Sequence, residues 1–350
     1  MATDFYDVTL NGVSKDTNVD QTANIQKVIN KALTASATLW PNTPGAAVQR
    51  GGTIYFPNGY YKISGTLLDP LISSTWYNPK LTIRGDMPGI SGTGGSGTRL
   101  ILTSAPSNPV FQVHGDLTGS ARATGFQLEQ IALEGVGFAA TWVSLKQATF
   151  CGLKRVKIVN TKGSGIYGDD WLDSDCHGLY FDSVSDGSTG HQVPSIDLSS
   201  NSPCSNLRFE DCHFANHDCF ACWLHSGTKY VQFLGCNWFG ILGPGYSNVR
   251  LDGVFQCSFT GCNFQMAASD HIVADSSTHG LMVTTSTFRD AYYWGIRLAS
   301  DRNIIVGNSF ATSSGGQGNG DASVPRGGNI TGAGSGDINA KSQGGAGALV

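Results

Sequence analysis

An all-β solenoid, closed at its N-terminal end by one helix, is the architecture this sequence points to. Three observations carry it. An aromatic–x–x–Cys–x–aromatic phrase recurs, as LRFEDCHF (Leu207–Phe214), VQFLGCNWF (Val231–Phe239) and CSFTGCNF (Cys257–Phe264). It belongs to a wider pattern, apolar–x–x–Z–x–apolar, with Z at 131, 156, 175, 212, 236, 262, 286 and 308; the spacings of 25, 19, 37, 24, 26, 24 and 22 residues centre on about 24. Only one segment has helical periodicity, which excludes a helical solenoid.

That segment is DQTANIQKVINKAL, residues 20–33. Ile25, Val28, Ile29, Ala32 and Leu33 form an apolar stripe at i, i+3, i+4, i+7 and i+8, and Asp20 is the expected N-cap. GGTIYFPNGYYKISGTL, residues 51–67, reads as two strands about a Pro57-Asn58-Gly59 turn. Residues 1–67 are therefore an N-terminal capping module. Residues 68–310 hold the coils. Between the Z phrases fall short segments such as SGIYGDD, HGLYFDS, CWLHSG and VRLDG, each a strand ending in a turn, which gives two strands per coil. Like residues in successive coils then stack at about 4.8 Å, so Cys212, Cys236 and Cys262 form an interior column beside stacked aromatics. Residues 311–350, with twelve glycines and few large apolar groups, read as a Gly/Ser-rich flexible or extended tail.

Composition narrows the function. Charged residues are 14% of the 350 and the net charge is −4, so the basic field of a nucleic-acid binder is missing. No run of about 18 apolar residues marks a membrane span. The start, MATDFYDVTLNGVSKD, has neither a basic n-region nor an apolar h-region, so no secretory signal is expected. The glycine-rich stretch 89–98 is not followed by a helix pattern, which sets aside a phosphate cradle. Nine cysteines, an odd number, argue against a disulfide framework and for small buried fillers.

The pairing of DQTANIQKVINKAL with GGTIYFPNGYYKIS resembles the N-terminal module of the pectate-lyase-like superfamily, over roughly residues 5–67, with the coils extending the likeness to about 310. The resemblance implies a single-stranded right-handed parallel β-helix with an N-terminal capping helix. The phrasing of WLDSDCHGLYF and SNLRFEDCHFANHDCFACWL looks like that of bacteriophage tailspike depolymerases. Such a likeness implies a homotrimer, virion-associated or extracellular, that cuts a bacterial surface or capsular polysaccharide. The multi-Asp pattern of polygalacturonases and the paired Asp and Arg signatures of calcium pectate lyases are missing, which puts pectin in doubt as the substrate.

Hydrolysis of a glycosidic bond uses two carboxyls, one as acid and one ionised. Strand alternation turns Lys154, Asp173 and Glu210 outward in one column and Lys157 and His213 in the next, so all five are expected to share one face over three or four coils. Asp173 and Glu210 are the expected catalytic pair, with Asp169 and Asp170 as rivals whose other reading is turn formation. Lys154, Lys157, His213 and His217 are expected substrate contacts, with Trp171 and Tyr292 stacking on sugar rings. Two alternatives stand beside hydrolysis: a polysaccharide lyase using Lys154, Lys157 or His213 on a uronate, and a glycan-binding fibre without catalysis. Cys212, His213, His217, Cys219, Cys222 and His225 crowd together in sequence. Zinc, however, needs four convergent ligands, and strand positions three apart face opposite sides. No metal and no cofactor is assigned.

Overall fold

The computed structural model describes residues 5–37, 52–68, 80–87, 97–115, 122–186, 192–199, 201–241, 243, 245–292, 294–300, 302–311, 328–331 and 338–339. The glycine stretch 89–98, apart from its last two residues, and most of the 311–350 tail lie outside them. The fold is an all-β right-handed parallel β-helix with one α-helix near its start. No described helix is long and apolar enough to cross a membrane. The chain divides into two compact units, residues 1–180 and 181–350.

In the first unit a complete coil has three strands, not two, because the chain bends at a third corner. Ladder A stacks Phe5–Asp7, Thr53–Phe56, Thr82–Gly85, Gln127–Glu129 and Gly152–Lys154. Ladder B stacks Gly59–Ile63, Thr98–Leu102, Ala132–Glu134 and Lys157–Thr161. Ladder C stacks Phe111–His114, Val143–Thr149 and the first half of Ile166–His177. Pro57-Asn58-Gly59 is thus a corner between ladders A and B rather than a hairpin. The helix runs Thr22–Ala37 and buries the expected apolar stripe. Its first intrahelical bond runs from the Ile25 N–H to the Gln21 carbonyl, 2.9 Å. Asp20 stands one residue before that cap, accepting from the Thr22 N–H at 3.0 Å and the Ser64 hydroxyl at 2.5 Å, which ties the helix to the first coil.

The second unit repeats the A–B–C path. Ladder A holds Ser205–Glu210, Lys229–Leu234, Ser258–Thr260, Met282–Thr284 and Ile304–Val306. Ladder B holds His213–His217, Asn237–Ile241, Asn263–Ala267, Thr287–Ala291 and Ser309–Ala311. Ladder C holds Ile196–Leu198, Cys222–Leu224, Val249–Leu251, Ile272–Ala274 and Trp294–Leu298. Two pieces of the tail, Gly328–Thr331 and Ile338–Asn339, are strands that extend ladders C and A, so the tail is not uniformly unstructured.

The recurring phrase spans the corner between ladders A and B. Phe209, Phe233 and Phe259 stack at 5.1 and 4.9 Å on the A side. Phe181, Phe214, Trp238, Phe264, Phe288 and Phe310 stack at 5.0, 5.1, 4.4, 4.7 and 4.9 Å on the B side. Between them lie the buried thiols, Cys236 donating to the Phe209 carbonyl and Cys262 to the Phe233 carbonyl, each at 3.4 Å. All nine cysteines are buried and unbonded to one another. The residue before seven of the eight Z positions is left-handed: φ is 54° at Gln130, 53° at Arg155, 52° at Asp211, 62° at Gly235, 63° at Gly261, 50° at Thr285 and 68° at Gly307. That one residue turns the chain from A to B.

Candidate active site

The A–B corner decides where the expected site residues fall. Lys154 ends a ladder A strand and Lys157 begins a ladder B strand, with left-handed Arg155 between them. Glu210 and His213 are divided in the same way by Asp211. Outward faces do not carry across a corner, so Lys154 and Lys157 do not share one surface, nor do Glu210 and His213. One coil is offset by four residues from the sequence pattern: Leu153 pairs with Cys176 and Lys154 with His177, which puts Leu179, not Asp175, at the Z position. Asp173 follows Leu172, the partner of Thr149, and is an exposed left-handed residue with φ 46° at the bend from ladder C to A.

Other expected contacts are committed elsewhere. Trp171 is 0% exposed, its indole N–H donating to the Cys151 carbonyl at 3.2 Å. His217 is 1% exposed, with Nδ1 2.9 Å from both the Ser195 hydroxyl and the Val184 carbonyl; neither ring reaches the surface to meet a sugar. Lys157 is 8% exposed and sits 5.1 Å over the Tyr180 ring. Arg122 holds Asp170 at 2.8 Å, and Arg208 holds Glu210 at 2.8 Å. Tyr292 is at the surface, 38% exposed.

Asp169 stands apart, because ladder C of the first unit gathers polar groups around it. Alternation along FQVH, VSLK and IYGD puts Phe111, Val113, Val143, Leu145 and Ile166 inside. Their neighbours form two outward rows in register: Gln112–Ser144–Tyr167 and His114–Lys146–Asp169. Lys146 Nζ lies 5.5 Å over the Tyr167 ring, and among the described residues no carboxylate lies within ion-pair reach of it. His114 Nε2 is 3.2 Å from the Ser144 hydroxyl. Burial, reinforced by the Lys146 charge, pushes the His114 imidazole down to about 4, so it is neutral at physiological pH. Gln112 Nε2 and Asp169 Oδ1 are buried with no hydrogen-bond partner. The rows thus combine a cation, a phenol, a neutral imidazole and a carboxylate, with hydrogen-bonding capacity the protein does not use. The alternation is legible in the sequence, where IYGD reads only as a strand ending in a turn.

Ladder C of the second unit has a different character. Asp197, Trp223 and Arg250 are in register. Asp197 pairs with His225 at 3.0 Å, Arg250 with Asp252 at 2.8 Å, and the Trp223 indole N–H donates to Asp252 at 2.9 Å. His225 stacks on Trp223 at 4.3 Å, and the Arg250 guanidinium lies 4.5 Å over the same indole. Each charge here has a partner, which makes this a self-contained brace.

Residues 5–226 match the family described as Rhamnogalacturonase A/epimerase, pectate lyase-like. The chain belongs to that family. No curated protein sequence matches it. Among solved structures, this rhamnogalacturonase/epimerase-family chain is similar to ORF18 of Geobacillus virus E2, with TM-score 0.67 and 21% identity over 97% of this chain; it spans 60% of that phage protein's length. It is also similar to the A-module of the Azotobacter vinelandii mannuronan C-5 epimerase AlgE6 (TM-score 0.56, 13% identity, 94% of this chain and 98% of that one). A third similar structure is DFA-IIIase from Arthrobacter chlorophenolicus A6 in complex with GF2 (TM-score 0.59, 13% identity, 97% and 94%). At these identities the likeness shows the fold.

Proposed function

We propose that this chain is a polysaccharide-acting enzyme whose reaction runs on the outward rows of ladder C in the first unit. The observation that carries the reading is Lys146: a half-buried lysine whose ammonium lies over the Tyr167 ring, flanked in register by a neutral imidazole and an acid, with no carboxylate in ion-pair reach among the described residues. This set suits proton removal from carbon next to a uronate carboxylate. Lys146 would neutralise the carboxylate and the charge that develops on it. Tyr167 and His114 are the proton-transfer groups. The reaction then completes as β-elimination, breaking the glycosidic bond, or as return of the proton to the other face. The family description, which names an epimerase, and the fold shared with a mannuronan epimerase support this class.

Hydrolysis is the second reading, because the same description names a rhamnogalacturonase. Asp173 and Glu210 remain the carboxyls proposed for it, with Asp169 or Asp170 as the rival acid. The fold shared with a phage protein supports the proposal of a virion-associated depolymerase, and a homotrimer belongs to that proposal. A fibre that binds glycan without altering it is the reading outside catalysis.

The deciding experiment incubates the protein with polygalacturonate, rhamnogalacturonan, alginate and a panel of bacterial capsular polysaccharides. Near-ultraviolet absorbance of an unsaturated product, reducing ends and chain length are followed together. Elimination gives all three signals, hydrolysis gives the last two, and epimerisation changes the sugar's NMR spectrum alone. Lys146→Met is expected to lower the rate ~10²–10⁴-fold. Wild-type turnover in that variant would refute the placement of the site.

A further inference from the structure

In the first unit the described buried side-chain atoms left without a hydrogen bond are Gln112 Nε2, Trp142 Nε1 and Asp169 Oδ1. Trp142 is a core indole on the inner side. Gln112 and Asp169 are on the outer side of ladder C, at diagonal corners of one two-row patch. Gln112 is only 4% exposed, so in this conformation its amide meets neither water nor a sugar, and donating to a ligand requires the side chain to swing outward. Folding normally pairs such groups, and each one left unpaired weakens the folded state. Unpaired groups that cluster on a functional face are the mark of capacity held for a ligand.

The chemistry of the pair is specific. One atom is a donor and the other an acceptor. Gln112 and Asp169 are two strands apart and two residues out of step, roughly 12 Å between backbones. That diagonal is longer than one sugar ring and fits two consecutive sugar units. A fully ionised anion such as phosphate has no proton to give Asp169 and is repelled by it. A hydroxyl-bearing sugar chain meets both demands.

We infer that Gln112 and Asp169 are the specificity-determining pair of this site, Gln112 donating to an acceptor oxygen of one sugar unit and Asp169 accepting from a hydroxyl of its neighbour. The inference rests on ladder C being the reacting face, as proposed above. It has a consequence that a structural role lacks. Removing the orphan donor relieves the folded protein while depriving the substrate of a partner, so stability and recognition move in opposite directions.

The test uses the full chain and the variants Gln112→Leu, Gln112→Met and Asp169→Asn. Thermal unfolding is measured without carbohydrate, and KM and kcat are measured on whichever of polygalacturonate, rhamnogalacturonan, alginate or the capsular polysaccharides the wild type turns over. Gln112→Leu is expected to unfold at or above the wild-type temperature and to raise KM roughly tenfold or more, with a smaller change in kcat. Gln112→Met, closer in shape, serves if leucine disturbs folding. Asp169→Asn is expected to raise KM likewise. An unfolding temperature several degrees lower in both Gln112 variants means that the amide has an internal partner and overturns the inference, whether or not the activity exists. Unchanged KM in all variants, with the wild type active, overturns the inference alone. A wild type inactive on every probe overturns the proposed function, and this inference with it.

Discussion

Lys146 is where the physical argument for function is tightest. Lys146, half-buried beside Tyr167 and His114 with no carboxylate in ion-pair reach among the described residues, is better explained by a ligand than by folding, since covered long charged side chains usually have a partner. Asp173 and Glu210 offer a direct contrast. One is an exposed corner residue, the other is held by Arg208. If the reaction runs on ladder C, Asp173→Asn and Glu210→Gln keep activity within about threefold, as surface changes usually do. Loss of reducing-end release in either variant would move the chemistry to ladder A and its corner and favour hydrolysis.

Along the ladders, the aromatic stacks set the cost of change. Phe233 lies between Phe209 and Phe259 and is fully buried, so Phe233→Ala is expected to cost about 3–5 kcal/mol, measured by urea unfolding. The thiols beside it are sealed. A maleimide added to the native protein should label none of the nine cysteines within minutes, and all of them in denaturant; rapid native labelling of Cys212, Cys236 or Cys262 would break the interior column. Gly163 shows how closely neighbouring coils approach: a Cβ there would collide with the Ala140 carbonyl, so Gly163→Ala should cost about 2 kcal/mol or more. The aromatic phrase made these coils readable from sequence, because identical side chains in register leave few alternatives. The corners were not readable. Gln130, Arg155, Asp211 and Thr285 adopt the same left-handed bend as the glycines at 235, 261 and 307, and nothing in their side chains announces it. Without the bend, the sequence reads as two strands per coil where three exist, with Lys154 and Lys157 on one face. Cys176 in the place of a larger apolar residue hid the true register of its coil, and so misplaced Asp173. Asp169 was singled out from sequence; its partners His114, Lys146 and Gln112 emerge only when three distant segments are laid side by side.

Over the whole chain, acid should weaken the fold through its buried imidazoles. Burial pushes His217 and His271 down to about 4 from an ordinary value near 6.5. The unfolded chain therefore takes up protons first. The stability these groups contribute is full above pH 6.5 and is lost as the pH falls through 4, on the order of 3 kcal/mol for each. The urea midpoint should drop between pH 7 and pH 4, and His217→Gln should flatten that dependence; a midpoint constant over the interval would show that these rings are not held neutral. Subunit number is open to the same kind of check, since light scattering that gives the mass of one chain would remove the trimer from the proposal.

The working surface itself can be seen. Crystals of Lys146→Met soaked with a short oligosaccharide of the identified substrate should show sugar density along Gln112, Ser144 and Tyr167, with a hydroxyl on Asp169 and an acceptor oxygen on Gln112 Nε2. Sugar bound instead beside Asp173 or Glu210, or over the Trp223 brace, with ladder C of the first unit empty, would mean that the chemistry has been assigned to the wrong face.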